Sequence, residues 1–264
     1  MASFGERLAP RLNEMGVGLA SRAFSQMRAL GPRWYLGPVP IPIVQIYTMQ
    51  SVAEAKAMAE MGIDRIGVTP SGHGLPGEVS VSLAAEICAA VGNDVMVSAI
   101  SVDSDLDAIV SMVQAVEPDV LHLCGPPGAV PPDSVMALRE RLPGVGIMQA
   151  IAIVGEQSVA QALEYAPVSD CLILDSVTPD IEGVGAAGVV HDWAVSRTIV
   201  ESVTIPVILA GGLSPANVAD AIALVDPWGV DSLTHTNRWL TDGGFRKDLD
   251  LVAEFAAAAR GATA

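Results

Sequence analysis

The chain has 264 residues, of which 51% are hydrophobic and only 4% aromatic, enough to bury one large aliphatic core at a length that α/β barrels routinely reach as a single domain. A formal charge of -16 at pH 7 argues against nucleic acid or an anionic membrane as partner, since both call for a basic footprint. Cys88, Cys124 and Cys171 are odd in number and lack paired spacing. They read as reduced core thiols, not as a disulfide framework or a zinc site, which suits a reducing compartment.

At the N-terminal end, Phe4 to Leu30 has the pattern of one or two helices, and the Pro- and Gly-rich GPVPIP (Gly37 to Pro42) reads as an extended entry into a first strand. Residues 1–42 are thus set apart as an N-terminal arm and 43–264 as the main domain. Arg7, Arg11, Glu14, Arg22, Arg28 and Arg33 interrupt the arm, so it has no apolar signal-peptide core, and no apolar run approaches the roughly 20 residues that span a bilayer. A soluble, cytoplasmic protein is expected.

From Ile43 onward, short β-branched apolar runs alternate with amphipathic stretches. The runs are Ile43 to Thr48, Arg65 to Val68, Val95 to Ile100, Val120 to Leu123, Gly146 to Ile153, Cys171 to Leu174, Val207 to Leu209 and Val230 to Leu233. The helical stretches are Val52 to Met61, Ser80 to Val91, Leu106 to Val116, Pro132 to Leu142, Ser158 to Tyr165, Asp192 to Val203, Pro215 to Leu224 and Lys247 to Ala259. Nearly wholly apolar strands imply a parallel sheet buried on both faces, and eight βα units close naturally into a (β/α)8 TIM barrel. Doubly wound sheets share this rhythm, but no dinucleotide fingerprint follows an early strand, which favours the barrel. Ser51 with Glu54 has capping-box spacing, Ser214-Pro215 reads as a cap and first-turn proline for the seventh helix, and Asp192 as a cap for the sixth.

In such a barrel the chemistry belongs to the carboxyl ends of the strands. That filter selects Tyr47, His73, Asp103, His122, Asp175, the loop Gly183 to Gly188, Gly211, Gly212, Thr234 and His235. The last two units, VILAGGLSPANV (Val207 to Val218) and WGVDSLTHTN (Trp228 to Asn237), place short polar or glycine-rich loops where backbone N–H groups can hold a phosphate. The fold class is therefore read as a phosphate-binding (β/α)8 barrel with a helical N-terminal extension.

These segments resemble phosphoribosylanthranilate isomerase of tryptophan biosynthesis. The likeness runs through VQIYTMQSVAEAKAMAEMGIDRIGV (Val44 to Val68), DVLHLCG (Asp119 to Gly125), CLILDS (Cys171 to Ser176), HDW (His191 to Trp193) and the LAGGLSPANV, PWGVD and GGFRKD segments. It implies an Amadori rearrangement, in which an acid protonates the sugar ring oxygen and a base removes the C2 proton. Asp175 falls at the position of the family's acid, and apolar walls including Leu172 and Leu174 are expected to raise its pKa.

The sequence also departs from the family. Tyr47 stands where the family's Lys-Ile-Cys-Gly motif has its catalytic cysteine, and Gln45 where it has lysine. With a reference pKa of about 10, tyrosine is a poor base, whereas His122, with a reference of about 6.5, is a second candidate. The Ser-Pro-Arg segment, whose arginine is expected to bind the anthranilate carboxylate, is replaced by TPSGHGLPGEVS (Thr69 to Ser80), which offers His73 and Glu78 but no arginine. Of the phosphate-holding loops, Gly211 and Gly212 match the family's seventh, while EGVGAAG (Glu182 to Gly188), with Gly183 and Gly185, replaces its Gly-Gly-Thr-Gly, and THT (Thr234 to Thr236), with Thr234 and His235, replaces its Ser-Gly-Val.

The expectation is an isomerase of phosphorylated sugars or N-glycosides, with catalytic candidates Asp175, His122 and Tyr47, acting on a substrate other than phosphoribosylanthranilate. It needs no cofactor or metal and binds neither nucleic acid nor membrane, with a homodimer as the assembly to test. The alternatives are a phosphosugar lyase or N-glycoside hydrolase using Asp175 and His122, and a non-catalytic phosphosugar-binding barrel.

Overall fold

A computed structural model describes residues 42–177, 183–241 and 243–262; nearly all of the expected N-terminal arm lies outside them. In chain order the elements are β1 (Ile43–Ile46), α1 (Val52–Glu60), β2 (Arg65–Val68), α2 (Val81–Val91), β3 (Met96–Ser101), α3 (Leu106–Val116), β4 (Val120–Leu123) and α4 (Pro132–Arg141). Then come β5 (Gly146–Ala152), α5 (Gln157–Tyr165), β6 (Cys171–Asp175), α6 (Trp193–Ser202), β7 (Val207–Leu209), α7 (Val218–Val225) and β8 (Gly229–Ser232). A hairpin of β9 (Asn237–Trp239) and β10 (Phe245–Lys247) precedes α8 (Leu249–Gly261).

The eight strands pair in sequence order, all parallel, and β1 returns to β8 to close the barrel, with Ile43 beside Gly229 and Gln45 beside Asp231. A Cβ at Gly229 would drive into the Ile43 side chain, so glycine there lets the closing seam form. Alternation then separates two layers. Val44, Ile46, Leu121, Leu123, Leu172, Leu174 and Val230 belong to the core cluster that also takes in Met58, Leu138 and Phe255 from the helices. Their neighbours in sequence, Gln45, Tyr47, His122, Ile173, Asp175 and Asp231, turn into the barrel.

The N-terminal face is fastened by a repeated device. Asp64, Asp119 and Asp170, each just before an even-numbered strand, accept the backbone N–H of Val44, Val97 and Ile147 on the preceding strand, at 2.8–2.9 Å. Each carboxylate satisfies a strand-start donor that the ladder leaves unpaired. Among the described residues no helix is long and apolar enough to cross a membrane.

Two local expectations are corrected. The seventh helix begins at Val218 instead of Pro215: Ser214 forms a turn in which its carbonyl accepts from Asn217 and Val218, while Asn217 Oδ1 accepts from the Ser214 N–H. Lys247 lies in β10 and not in the last helix, because Phe245 packs edge-on against Trp239 across the hairpin, with ring centroids 5.5 Å apart. Glu54 accepts from Gln50 and from Lys247, tying α1 to that hairpin, while Ser51 caps the Glu54 N–H as expected.

Candidate active site

Among the described residues, two adjoining cavities meet over Asp175 and Asp231 at the carboxyl ends of the strands. The larger, about 530 Å³, has predominantly apolar walls formed by Leu75, Pro76, Ile100, Val102, Ile173, Val184 and Leu233, with Tyr47, Thr69, His122 and Cys124 among its polar groups. The smaller, about 260 Å³, is bounded by Gly188, Gly211, Gly212, Ser232, Thr234 and His235. Asp175, Ala186, Asp231 and Leu233 line both, so two carboxyl groups stand at the junction of an apolar cleft and a glycine-rich polar cavity.

Asp175 ends β6 on the same inward face as Ile173. The expected walls Leu172 and Leu174 point the other way, into the layer beneath the helices, because side chains alternate along a strand. Burial raises the Asp175 pKa to about 7 against the opposing hydrogen bonds from Ser176, whose N–H and hydroxyl both approach Oδ1, at 2.7 and 3.4 Å. Gly185, at φ +107°, lies against this carboxylate: a Cβ there would come within 2.6 Å of Oδ2. Glycine is needed for the loop backbone to approach so closely.

Asp231, on β8, carries no mark of a site residue in the sequence, where a single acid inside an apolar run reads as part of a strand. It is buried, and its Oδ1 accepts from the Gln45 side-chain amide at 3.0 Å. Gln45 Oε1 is in turn approached by the Ser98 hydroxyl at 3.5 Å. Burial pushes the Asp231 carboxyl up to about 8; the Gln45 bond and the Lys247 charge lower it, while Asp175 raises it further. Lys247 is caged by Leu233 O, Thr236 Oγ1 and Asn237 Oδ1 at 3.1, 3.3 and 2.6 Å. Its ammonium therefore braces the loop after β8 that carries Thr234 and His235.

Tyr47 reaches across the barrel from β1, and its hydroxyl meets His122 Nδ1 at 3.0 Å. Burial dominates both groups: the phenol is held well above its usual value and the imidazole falls to about 3. Near pH 7 the phenol therefore keeps its proton, and the imidazole, though unprotonated, is a weak proton acceptor. His122 Nε2 is buried without a hydrogen-bond partner. Cys124, read from sequence as a core thiol, instead lines the cleft, its thiol kept neutral by a pKa pushed up to about 12.

Of the residues expected to hold phosphate, the smaller cavity gathers Gly211, Gly212, Thr234 and His235, and adds Gly188. Gly183 and Gly185 stand outside it. Gly183 packs on the Cys124 carbonyl, and the adjoining Val184 N–H donates to that oxygen at 2.9 Å. His73 also lies away from both cavities, at the partly exposed rim, where its Nε2 meets Asp103 at 3.2 Å.

The family model described as N-(5'phosphoribosyl)anthranilate (PRA) isomerase matches residues 44–234. The chain belongs to the phosphoribosylanthranilate isomerase family. The N-(5'-phosphoribosyl)anthranilate isomerase of Haloferax volcanii is 34% identical over 218 residues, covering 82% of this chain and 92% of that relative. The one from Methanocella arvoryzae is 33% identical, covering 80% and 95%. The crystal structure of phosphoribosylanthranilate isomerase from Thermotoga maritima superposes with a TM-score of 0.70 at 24% identity, covering 84% of this chain and all of that one, which bears on the fold alone.

Within this phosphoribosylanthranilate isomerase fold, Tyr47 is accommodated because its neighbour on β2 is Gly67. Its ring lies where any Cβ at that position would be. The loop of residues 69–80, where the resemblance places an arginine in the family, turns its one carboxylate inward. Glu78 accepts from the Ser71 hydroxyl and from the N–H groups of Gly72, Gly74 and Leu75, at 2.6–3.0 Å.

Proposed function

We propose that this protein catalyses an Amadori isomerisation of a phosphorylated N-ribosylamine other than phosphoribosylanthranilate, with Asp175 and Asp231 carrying the acid–base steps. The observation behind this reading is the pair of carboxyl groups shared by the two cavities. A phosphate in the glycine-lined cavity, met by backbone N–H groups and the Thr234 hydroxyl, sets the sugar at the junction and the amine substituent in the apolar cleft.

Raised to about 7 and 8, the two carboxyls titrate as a pair near neutral pH and can hold a single proton between them. Protonated Asp175 gives its proton to the ring oxygen as the C1–O bond opens to the iminium. An ionised carboxylate of the pair then removes the C2 proton to form the enaminol, and protonation at C1 with loss of the C2 hydroxyl proton to solvent leaves the C2 ketone. Tyr47 and His122 contribute as a neutral hydrogen-bonded pair in the cleft wall.

The test is to mix the protein with ribose 5-phosphate and either anthranilate or 2-aminobenzamide, which form the N-ribosylamines in solution, and to identify the product. A 1-amino-1-deoxyketose phosphate formed above the uncatalysed rate supports isomerisation. Accelerated loss of the adduct to free amine and ribose 5-phosphate would instead indicate hydrolysis. Robust turnover of the anthranilate adduct, or full rescue of a tryptophan auxotroph lacking the isomerase, would contradict the substrate assignment.

A further inference from the structure

The walls of the larger cleft say what its amine substituent must be. Among the described residues that line it there is no lysine or arginine, and its only ionisable groups of low intrinsic pKa are the two carboxyls, Asp175 and Asp231. The loop over its mouth contributes Leu75 and Pro76, while that loop's own carboxylate, Glu78, is tied up by three backbone N–H groups and a hydroxyl. Deeper in, Tyr47 and His122 satisfy one another, and the second ring nitrogen of His122 is left buried with no partner.

An acid group on a ligand placed here would lose its water, find no cation and stand beside a carboxyl pair that carries negative charge once either member ionises. A neutral ring meets apolar walls instead. A neutral polar substituent able both to donate and to accept, such as a carboxamide, complements His122 Nε2 in either tautomer, whichever direction the Tyr47–His122 bond runs.

We infer that the cleft selects an uncharged aromatic amine substituent bearing a neutral hydrogen-bonding group, and discriminates against one bearing a carboxylate. This rests on the isomerase reading above and deepens it by fixing the class of the amine.

Binding of two unreactive analogues, measured by calorimetry on the full chain, tests the inference apart from turnover. They are the reduced alditol phosphates of the 2-carbamoylphenylamino and 2-carboxyphenylamino ketoses. The carbamoyl compound is expected to bind at least 10-fold more tightly, and the preference to shrink or reverse in Leu75→Arg, which places a cation at the cleft. Equal binding, or tighter binding of the carboxylate by the parent protein, overturns the inference and leaves the isomerase reading standing. Failure of both compounds to bind removes both.

Discussion

The ring of Tyr47 lies across Gly67 on the adjacent strand, in the space a β-carbon would otherwise fill. A tyrosine at the end of β1 and a glycine in β2 are therefore one structural unit. Overpacking a tight core costs about 1–3 kcal/mol, and Gly67→Ala is expected to destabilise the parent protein by an amount of this order. In a Tyr47→Cys background the same change should cost far less, since the methyl group then enters vacated space. Urea unfolding of the four proteins of this cycle measures the coupling; an identical cost in both backgrounds would show that the ring does not occupy that position.

Asp175 links stability to pH. Its folded pKa of about 7 lies above the ordinary carboxylate value, so between about pH 4 and pH 7 the unfolded chain releases a proton that the folded protein retains. Folding stability from this group consequently falls as pH rises through that window and levels off above it. Asp175→Asn removes the effect, and the variant should gain on the parent from pH 4.5 to pH 7.5, by something on the order of a few kcal/mol given 1.36 kcal/mol per pKa unit. A stability difference between variant and parent that stays constant, or that shifts in the parent's favour as pH rises, would mean that burial does not raise this carboxyl. Asp231, raised to about 8, predicts the same sign for Asp231→Asn, with the window extending to higher pH.

The smaller cavity can be tested with inorganic phosphate alone. Gly212 is a poor probe, because a side chain there would come within 2.6–2.7 Å of the Val189 and Val190 backbone and disturb the loop itself. Thr234→Val keeps the shape and removes only the hydroxyl. Loss of one hydrogen bond, worth about 1 kcal/mol, predicts roughly 5-fold weaker phosphate binding in a thermal-shift titration, with the melting temperature of the free protein little changed. Undiminished affinity would remove Thr234 from the site.

The barrel was legible because its strands are buried on both faces and nearly unbroken by polar residues, so β2, β4, β7 and α3 have the bounds their patterns predict. The hairpin of β9 and β10 was not, since GGFRKD carries the charge pattern of a helix start and only the contact of Trp239 with Phe245 reveals a turn. Asp175 could be found from the end of its strand together with the family resemblance. Asp231 could not: its partner Gln45 is 186 residues away, and the two meet only when β1 closes on β8. The same holds for Tyr47 and His122, 75 residues apart. Their hydrogen bond, and the burial that raises the phenol's pKa and lowers the imidazole's, could not be read from either residue's place in the sequence.

The most direct test of the carboxyl-pair mechanism is isotope incorporation in D2O, using the ribose 5-phosphate adducts of 2-aminobenzamide and of anthranilate with parent and Asp175→Asn protein. Removal of the C2 proton and protonation at C1 predict one deuterium at C1 of the ketose product, read by NMR and mass spectrometry. General acid–base catalysis contributes about 10²- to 10⁴-fold, so Asp175→Asn should lower the rate by that order while still folding and binding phosphate. A parental rate of deuterium incorporation in Asp175→Asn would contradict the account and move the chemistry away from the junction of the two cavities.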